Sequence, residues 1–515
     1  MTPIGLSHVA IGSYILVLGM LCVYALHRYQ LVYLYHKHRR NRALPLGPVE
    51  PLPRVTVQLP MYNERYVARR IIEAACRLDY PADRLQIQVL DDSTDDTVQI
   101  ARNTVDQCRR QGCNVQYIHR NNRCGYKAGA LENGLTRADG ELICIFDADF
   151  VPPADVLRRS VGYFADPQVG MVQLRWEHIN RSHSLLTKIQ AVLLDGHFVI
   201  EHGARHRSGR FMSFNGTAGL WRARCIHHAG GWQHDTLTED LDLSYRAQLQ
   251  GWKFIFVPDV VAPAELPPDI IAFKDQQHRW AKGGAQTCRK LLPTLLRARV
   301  PFKVKWEAFF HLTSCTVHLY MVALILLLLP VLLITAGQRT AFSAGTLLLD
   351  ASLFLIATGG ASSFYVASQR ELSRSWFDSV CLLPFLMALG VGMSLNNARA
   401  TLAGLSGQGG EFVRTPKFGV DDVEGRGWKL RKQYRSGRRH RIQPFVELGM
   451  AIYLTACIAL CVQTQWLTLG LPFLGLFALG CFYVGISSLA ATEPQSRIQP
   501  SPEAVNLLAE PAAGS

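Results

Sequence analysis

The chain has 515 residues, 49% of them hydrophobic, and a formal net charge of +14, enough for a catalytic domain of a few hundred residues plus several membrane spans. A basic balance suits anionic lipid headgroups, nucleoside diphosphates or nucleic acid, but the basic runs 36–40 (HKHRR) and 438–441 (RRHR) adjoin apolar segments, which favours the membrane over nucleic acid. Thirteen cysteines without a CxxC pair or Cys/His spacing argue against structural zinc and for reduced thiols in a cytoplasm-facing protein.

In chain order, residues 1–42 read as one membrane span with a basic flank, the apolar run covering 9–25. The charge follows the apolar run and no small-residue cleavage pattern is seen, which disfavours a cleaved signal peptide. Residues 43–53 (ALPLGPVEPLP) are a Pro-rich linker. Residues 54–266 have the composition of a soluble α/β domain. Strands are predicted at 55–60, 85–90 and 142–146, with a helix at 64–78. Short strands ending in polar residues and separated by helices predict a largely parallel sheet, with ligands at the carboxyl ends of its strands. Residues 267–305 read as amphipathic, interfacial and basic. Two spans (312–336 and 347–367) are predicted within 306–367, and 368–400 holds an ambiguous apolar stretch, 377–395. A Gly-rich basic loop occupies 401–441, two further spans (445–462 and 467–489) fall in 442–490, and 491–515 has the composition of a disordered tail. A cytoplasmic basic loop requires an even number of crossings between it and the catalytic domain. That makes 377–395 interfacial or re-entrant, with about five spans, an external N-terminus and a cytoplasmic C-terminus; six spans are the alternative.

The acidic residues carry the chemistry. Asp147 and Asp149 follow the third strand in FDADF, where two carboxylates at alternate positions can share a divalent cation bridging a diphosphate. A solvated strand-end turn is the plain alternative. Asp91 and Asp92 follow the preceding strand and can accept hydrogen bonds from a nucleobase and ribose, or Asp92 or Ser93 can cap a helix. Lys127, in GYKAGA (125–130), lies among small residues that allow close approach of an anion. Asp240, in Thr238-Glu239-Asp240, can act as general base toward a sugar hydroxyl, with helix capping by Thr238 as the competing role. Arg279 can stabilise charge on a leaving diphosphate and Trp280 can stack on a sugar ring, although both also suit an interfacial anchor.

The strings VQLPMYNER (57–65), QVLDDSTDDT (88–97), GYKAGAL (125–131), FDADF (146–150), QLRW (173–176), FNGTAGLWR (214–222), TEDLDLSYRAQLQGWKF (238–254) and QQHRWAKGG (276–284) occur in this order. Together they resemble the processive family-2 glycosyltransferases, most closely the plant cellulose-synthase-like A and C branches (mannan and glucan synthases) and their bacterial relatives. The resemblance implies a GT-A fold inserted between transmembrane helices. It implies a nucleotide station at Asp91 and Asp92, diphosphate contacts from Lys127, Asp147 and Arg279, and Mg²⁺ or Mn²⁺ held by Asp147 and Asp149, with Asp149 the more direct ligand. It also implies Asp240 as base, and acceptor contacts from Asn215, Gly216, Thr217, Gln276 and Trp280. Residues 412–417 (FVRTPK) resemble the gating loop of cellulose synthases, with Phe412, Thr415 and Lys417 retained and Arg414 replacing the usual valine.

The activity so implied is an inverting, processive hexosyltransferase. It would build a β-linked, 1,4-type glucan or mannan from UDP-glucose or GDP-mannose and extrude it across a bacterial inner membrane or a Golgi-type membrane, with the catalytic domain in the cytoplasm. Implied partners are the sugar nucleotide, the growing polysaccharide and membrane lipids, but no nucleic acid; accessory subunits or a homo-oligomer are allowed. The nearest alternative is a non-processive enzyme that adds one sugar to a membrane lipid. A transporter or scaffold carrying a dead transferase domain fits the intact acidic set poorly.

Overall fold

The computed structural model describes residues 3–45, 47, 49–337, 344–410, 412–420, 442–464 and 470–492. The basic run 438–441, the stretch 421–441 of the predicted loop and the tail from 493 lie outside them.

The catalytic unit follows a first helix, α1 (Pro3–Lys37), and alternates strands with helices: β1 (Val55–Met61), α2 (Ala68–Cys76), β2 (Leu85–Asp91), α3 (Thr97–Arg110), β3 (Val115–His119), α4 (Tyr126–Leu135), β4 (Leu142–Ile145), α5 (Arg158–Val161) and β5 (Val169–His178). Then come α6 (Leu185–Asp195), a π-helix (Gly196–His202), α7 (Gly203–Arg207), β6 (Gly219–Arg222), α8 (Ala223–His228), α9 (Glu239–Leu249) and β7 (Lys253–Ala264). They build one seven-stranded sheet in the order β3-β2-β1-β4-β6-β5-β7.

Every residue of β1 and β2 is buried, as expected of strands covered on both faces. Side chains alternate between two apolar layers: Leu142 and Cys144 of β4 join the layer under α2 and α3, while Ile143 and Ile145 join the layer under α4, α8 and α9. Polar side chains inside the sheet pair across neighbouring strands. Thr56 donates to Gln86 at 2.7 Å and Gln58 to Gln88 at 3.0 Å.

The sheet is largely parallel, as expected, with one strand reversed: β6 runs antiparallel to both β4 and β5. One expectation needs correction. The helix expected from residue 64 begins at Ala68, since residues 62–67 form the turn that carries Glu64 past the carboxyl end of β1.

The remaining helices are α10 (Ile270–Arg297), α11 (Phe302–Thr313), α12 (Val317–Gly337), α13 (Ala344–Glu371), α14 (Trp376–Gly392), α15 (Ser394–Leu405), α16 (Gln443–Thr464) and α17 (Leu471–Thr492). Among the described residues, four stretches are long and apolar enough to cross a membrane: Ser7–Lys37, Phe302–Ile334, Gln443–Gln463 and Leu471–Ala491. The ambiguous stretch near 377–395 is α14, bent by 45° into α15, a shape that fits either a broken span or a re-entrant loop. Helix α13 has 28 residues, about 42 Å at 1.5 Å per residue. Small residues let these helices approach closely: a Cβ on Gly480 of α17 would lie 2.0 Å from the Ala388 carbonyl of α14.

Helix α10 joins the two halves. Its Lys274 is fully buried, with Nζ 2.6 Å from Glu447 of α16 and 3.2 Å from Ser488 of α17. Asn396 of α15 donates to the Lys274 carbonyl, and Gln443 donates to Asn396.

Candidate active site

The carboxyl ends of β1, β2 and β4 open into a cleft closed on its far side by α9, α10 and residues 412–417. Asp147, Asp149, Asp240, Arg279 and Lys417 all line it. Residues separated by up to 270 positions in sequence therefore face one volume. Asn215, Asp240, Gln276 and Trp280 also line a second cavity of about 1100 Å³, which runs from the cleft between the helices to Leu474 and Phe477 of α17.

At the β4 tip, the Asp147 amide donates to Thr217 Oγ1 at 2.8 Å, which fixes the start of the acidic turn. The Asp147 carboxylate takes the Lys127 ammonium at 2.5 Å, and the same ammonium donates to the Gly216 carbonyl at 2.9 Å. Burial pulls the Lys127 pKa down, but the charges of Asp147, Glu239 and Asp240 outweigh it and leave the pKa above its ordinary value. Lys127 stands at the second position of α4, behind Gly125 in the left-handed conformation (φ 70°).

Asp149 is buried. One carboxylate oxygen meets Lys417 and the other has no hydrogen-bond partner among the described residues. An orphaned carboxylate oxygen beside a lysine fits a place where a cation can sit. Among the described residues no three His, Cys, Asp or Glu side chains cluster tightly enough to hold a metal by themselves. The site therefore fits an ion that takes most of its ligands from phosphate oxygens and water, the usual habit of Mg²⁺.

Asp240 sits in the first turn of α9, partly exposed toward the cleft, and its Oδ1 accepts from the Leu241 amide at 2.8 Å. Burial, then the charge of adjacent Glu239, raises its pKa to about 7. The competing role, helix capping by Thr238, is not played: its side chain caps no amide of α9 and instead meets Thr287 at 3.0 Å. Gly216, at φ 78°, lets the chain pass beside Asp240, since a Cβ there would lie 3.0 Å from Asp240 Oδ2.

The two acidic residues expected at the nucleotide divide. Asp92 lines the cleft and is held by Arg120 at 2.7 Å, whereas Asp91 stands fully buried behind it. The Asp91 oxygens accept from Tyr117 at 2.6 Å and the Ser93 amide at 2.9 Å. Neither Asp92 nor Ser93 caps α3, whose N-cap is Asp96.

Residues 412–419 are threaded into the cleft. Arg279 lies 4.6 Å over the Phe412 ring and donates to the Val413 carbonyl (3.3 Å) and to Thr415 (3.4 Å). The Arg414 guanidinium lies 3.3 Å from Glu64. The amides of Phe418 and Gly419 donate to the two oxygens of Glu265, each at 2.9 Å. Glu64, Glu265 and Trp176 line the cleft, and sequence reasoning did not single them out. Glu64 lies within VQLPMYNER and Trp176 ends QLRW, so position just past a strand or at its end was the available signal. Burial raises the Glu64 pKa to about 7 despite Arg414 and Lys417.

Residues 53–283 match the family described as glycosyltransferase like family 2. The chain is 36% identical over 420 residues to glucomannan 4-beta-mannosyltransferase 2 of Arabidopsis thaliana, covering 79% of this chain and 75% of that one. It is 34% identical over 490 residues to glucomannan 4-beta-mannosyltransferase 1 of Oryza sativa subsp. japonica, covering 89% and 88%. Among solved structures, mannosyltransferase PcManGT from Pyrobaculum calidifontis, in complex with GDP-Man and Mn²⁺, aligns with 69% of this chain and 98% of its own at 21% identity and a TM-score of 0.49.

Proposed function

The chain belongs to glycosyltransferase family 2, and from that premise we propose that it is an inverting, processive β-1,4-mannan synthase using GDP-mannose. The observation that carries this reading is the convergence of Asp147, Asp149 and Asp240 on one cleft that continues into a cavity between apolar helices. The mannosyltransferase names of the relatives direct the donor sugar.

Asp92 would face the nucleoside, and Lys127 and Arg279 the diphosphate. Asp147 and Asp149 would hold a divalent ion, Mg²⁺ or Mn²⁺, which supplies charge neutralisation for the departing diphosphate when bound. Asp240, poised near neutrality, takes the proton of the acceptor's terminal 4-hydroxyl. That oxygen bonds to the anomeric carbon as the carbon–diphosphate bond breaks on the opposite face, so an α-linked donor gives a β-linkage. Lys127 and Arg279 meet the charge left on the leaving group. Trp280, Gln276 and Asn215 stand at the mouth of the large cavity, where the lengthened chain would enter. Its span between α1, α12 and α17 supports extrusion of the polymer by the same molecule.

The test is incubation of purified protein with labelled GDP-mannose or UDP-glucose, followed by linkage analysis and endo-β-1,4-mannanase digestion. Long 4-linked mannan that the enzyme digests is expected. A lipid-mobile monoglycoside would replace this reading with single-sugar transfer to a lipid. Incorporation from UDP-glucose alone would replace mannan with glucan.

A further inference from the structure

The π-helix between α6 and α7 shapes the acceptor side of the site. In an α-helix, residues five apart diverge by about 140° around the axis. In a π-helix, i→i+5 hydrogen bonding brings such residues onto one face, and π segments are frequent at functional sites. Here the pair is His197 and His202, whose ring centroids lie 4.6 Å apart. Between them sits the side chain of Asn215. Its Nδ2 is 2.7 Å from His197 Nε2 and its Oδ1 is 2.6 Å from His202 Nε2. The other nitrogen of His197, Nδ1, is 2.8 Å from Glu201.

The placement of the Asn215 amide assigns the donors and acceptors. Burial would push the Glu201 carboxyl up, but Arg28, Arg205 and His197 together hold its pKa well below the ordinary value, so it accepts only. The Asn215 amino group faces His197 Nε2, which therefore accepts, and the proton of that ring lies on Nδ1 toward Glu201. The Asn215 carbonyl in turn takes the Nε2 proton of His202. Burial lowers the His202 pKa well below the ordinary value, consistent with a neutral ring. One Asn215 N–H and one carbonyl lone pair remain. Asn215 lines both the catalytic cleft and the large cavity, and the next residue, Gly216, adjoins Asp240.

We infer that His197, His202 and Glu201 are positioning residues that lock the Asn215 amide in one orientation, so that it presents a fixed donor–acceptor pair to a sugar hydroxyl of the acceptor at the entrance to the cavity. The inference rests on the transferase reading. Glu201 also pairs with Arg28 of α1, whose guanidinium lies 4.4 Å over Phe364 of α13, so the lock is anchored to the apolar helices.

The test uses full-length detergent-solubilised protein with GDP-mannose and a labelled manno-oligosaccharide, and GDP–Mn²⁺ affinity as the measure of an intact donor site. His197→Phe keeps an aromatic ring without a hydrogen-bonding nitrogen. Its acceptor KM should rise roughly tenfold, the worth of one orienting hydrogen bond, with GDP–Mn²⁺ affinity within about twofold of wild type. His197→Gln can both accept from Asn215 and donate to Glu201, and should restore most of the lost acceptor KM. His202→Leu repeats the test from the other side of the amide, should His197→Phe not fold. An unshifted acceptor KM in the folded variants, or a loss that His197→Gln does not restore, overturns the inference while wild-type transfer stands. A wild type that transfers to no saccharide overturns the transferase reading, and this inference with it.

Discussion

At the scale of single residues, Asp240 carries the sharpest expectation. A base near neutrality combines a useful deprotonated fraction with real proton affinity. Replacement Asp240→Asn keeps size and shape but removes the base, so sugar transfer should fall by roughly 10²–10⁴-fold while donor affinity is retained. Initial rates and nucleotide titration on the same preparation separate the two effects. The pH dependence follows from the direction of the shift. A carboxyl raised to about 7 is mostly protonated below that pH and therefore inactive as a base. kcat/KM should climb with unit slope up to about pH 7 and then level. A profile already flat from pH 5 would remove Asp240 from the role. Of its two neighbours in the triplet, Thr238 turns toward α10 and Glu239 adds the negative charge that helps raise Asp240.

At the scale of elements, the segment 412–419 occupies the cleft as a ligand would. Arg279 holds its beginning, Glu265 its end, and Lys417 places an ammonium on Asp149. An ammonium on one Asp149 oxygen repels a divalent cation on the other. Lys417→Met should therefore tighten Mn²⁺ binding to donor-free protein, by about tenfold if the pair resembles other charge-assisted hydrogen bonds. Mn²⁺ titration followed by electron paramagnetic resonance reads this without turnover. Unchanged or weaker binding would mean that Lys417 does not compete for the site. Strand β6 is the other element that matters here. Its antiparallel course puts the Phe214–Ala218 turn beside the β4 tip, which is how Thr217 reaches Asp147 and Gly216 reaches both Lys127 and Asp240.

At the scale of the whole molecule, the sheet domain and the apolar helices are joined through buried charge rather than apolar packing alone. Lys274 and Glu447 are buried; Lys274 donates to Ser488, Gln443 donates to Glu447, and Asn396 donates to the Lys274 carbonyl. Such a pair need not stabilise more than an apolar one would, but breaking it leaves a charge stranded. Glu447→Ala should cost about 3–5 kcal/mol, seen as a lower unfolding midpoint in detergent, and Lys274→Met combined with Glu447→Leu should recover much of that loss. A double variant no more stable than Glu447→Ala would count against this account.

The sequence by itself determined the strands that end in Asp91–Asp92 and Asp147–Asp149, the apolar helices and the order of the motifs, because those features are written in local periodicity and short spacing. Which carboxylates share a cleft, which of Asp91 and Asp92 faces it, and the roles of Glu64, Glu265 and the two histidines around Asn215 were decided by tertiary structure alone. The physical reason is distance along the chain. A strand tip, a helix start near 240, a basic helix near 280 and a loop near 415 meet only after the sheet has twisted and α10 has docked. A lone glutamate or histidine in sequence carries no mark of the partner that will fix its protons.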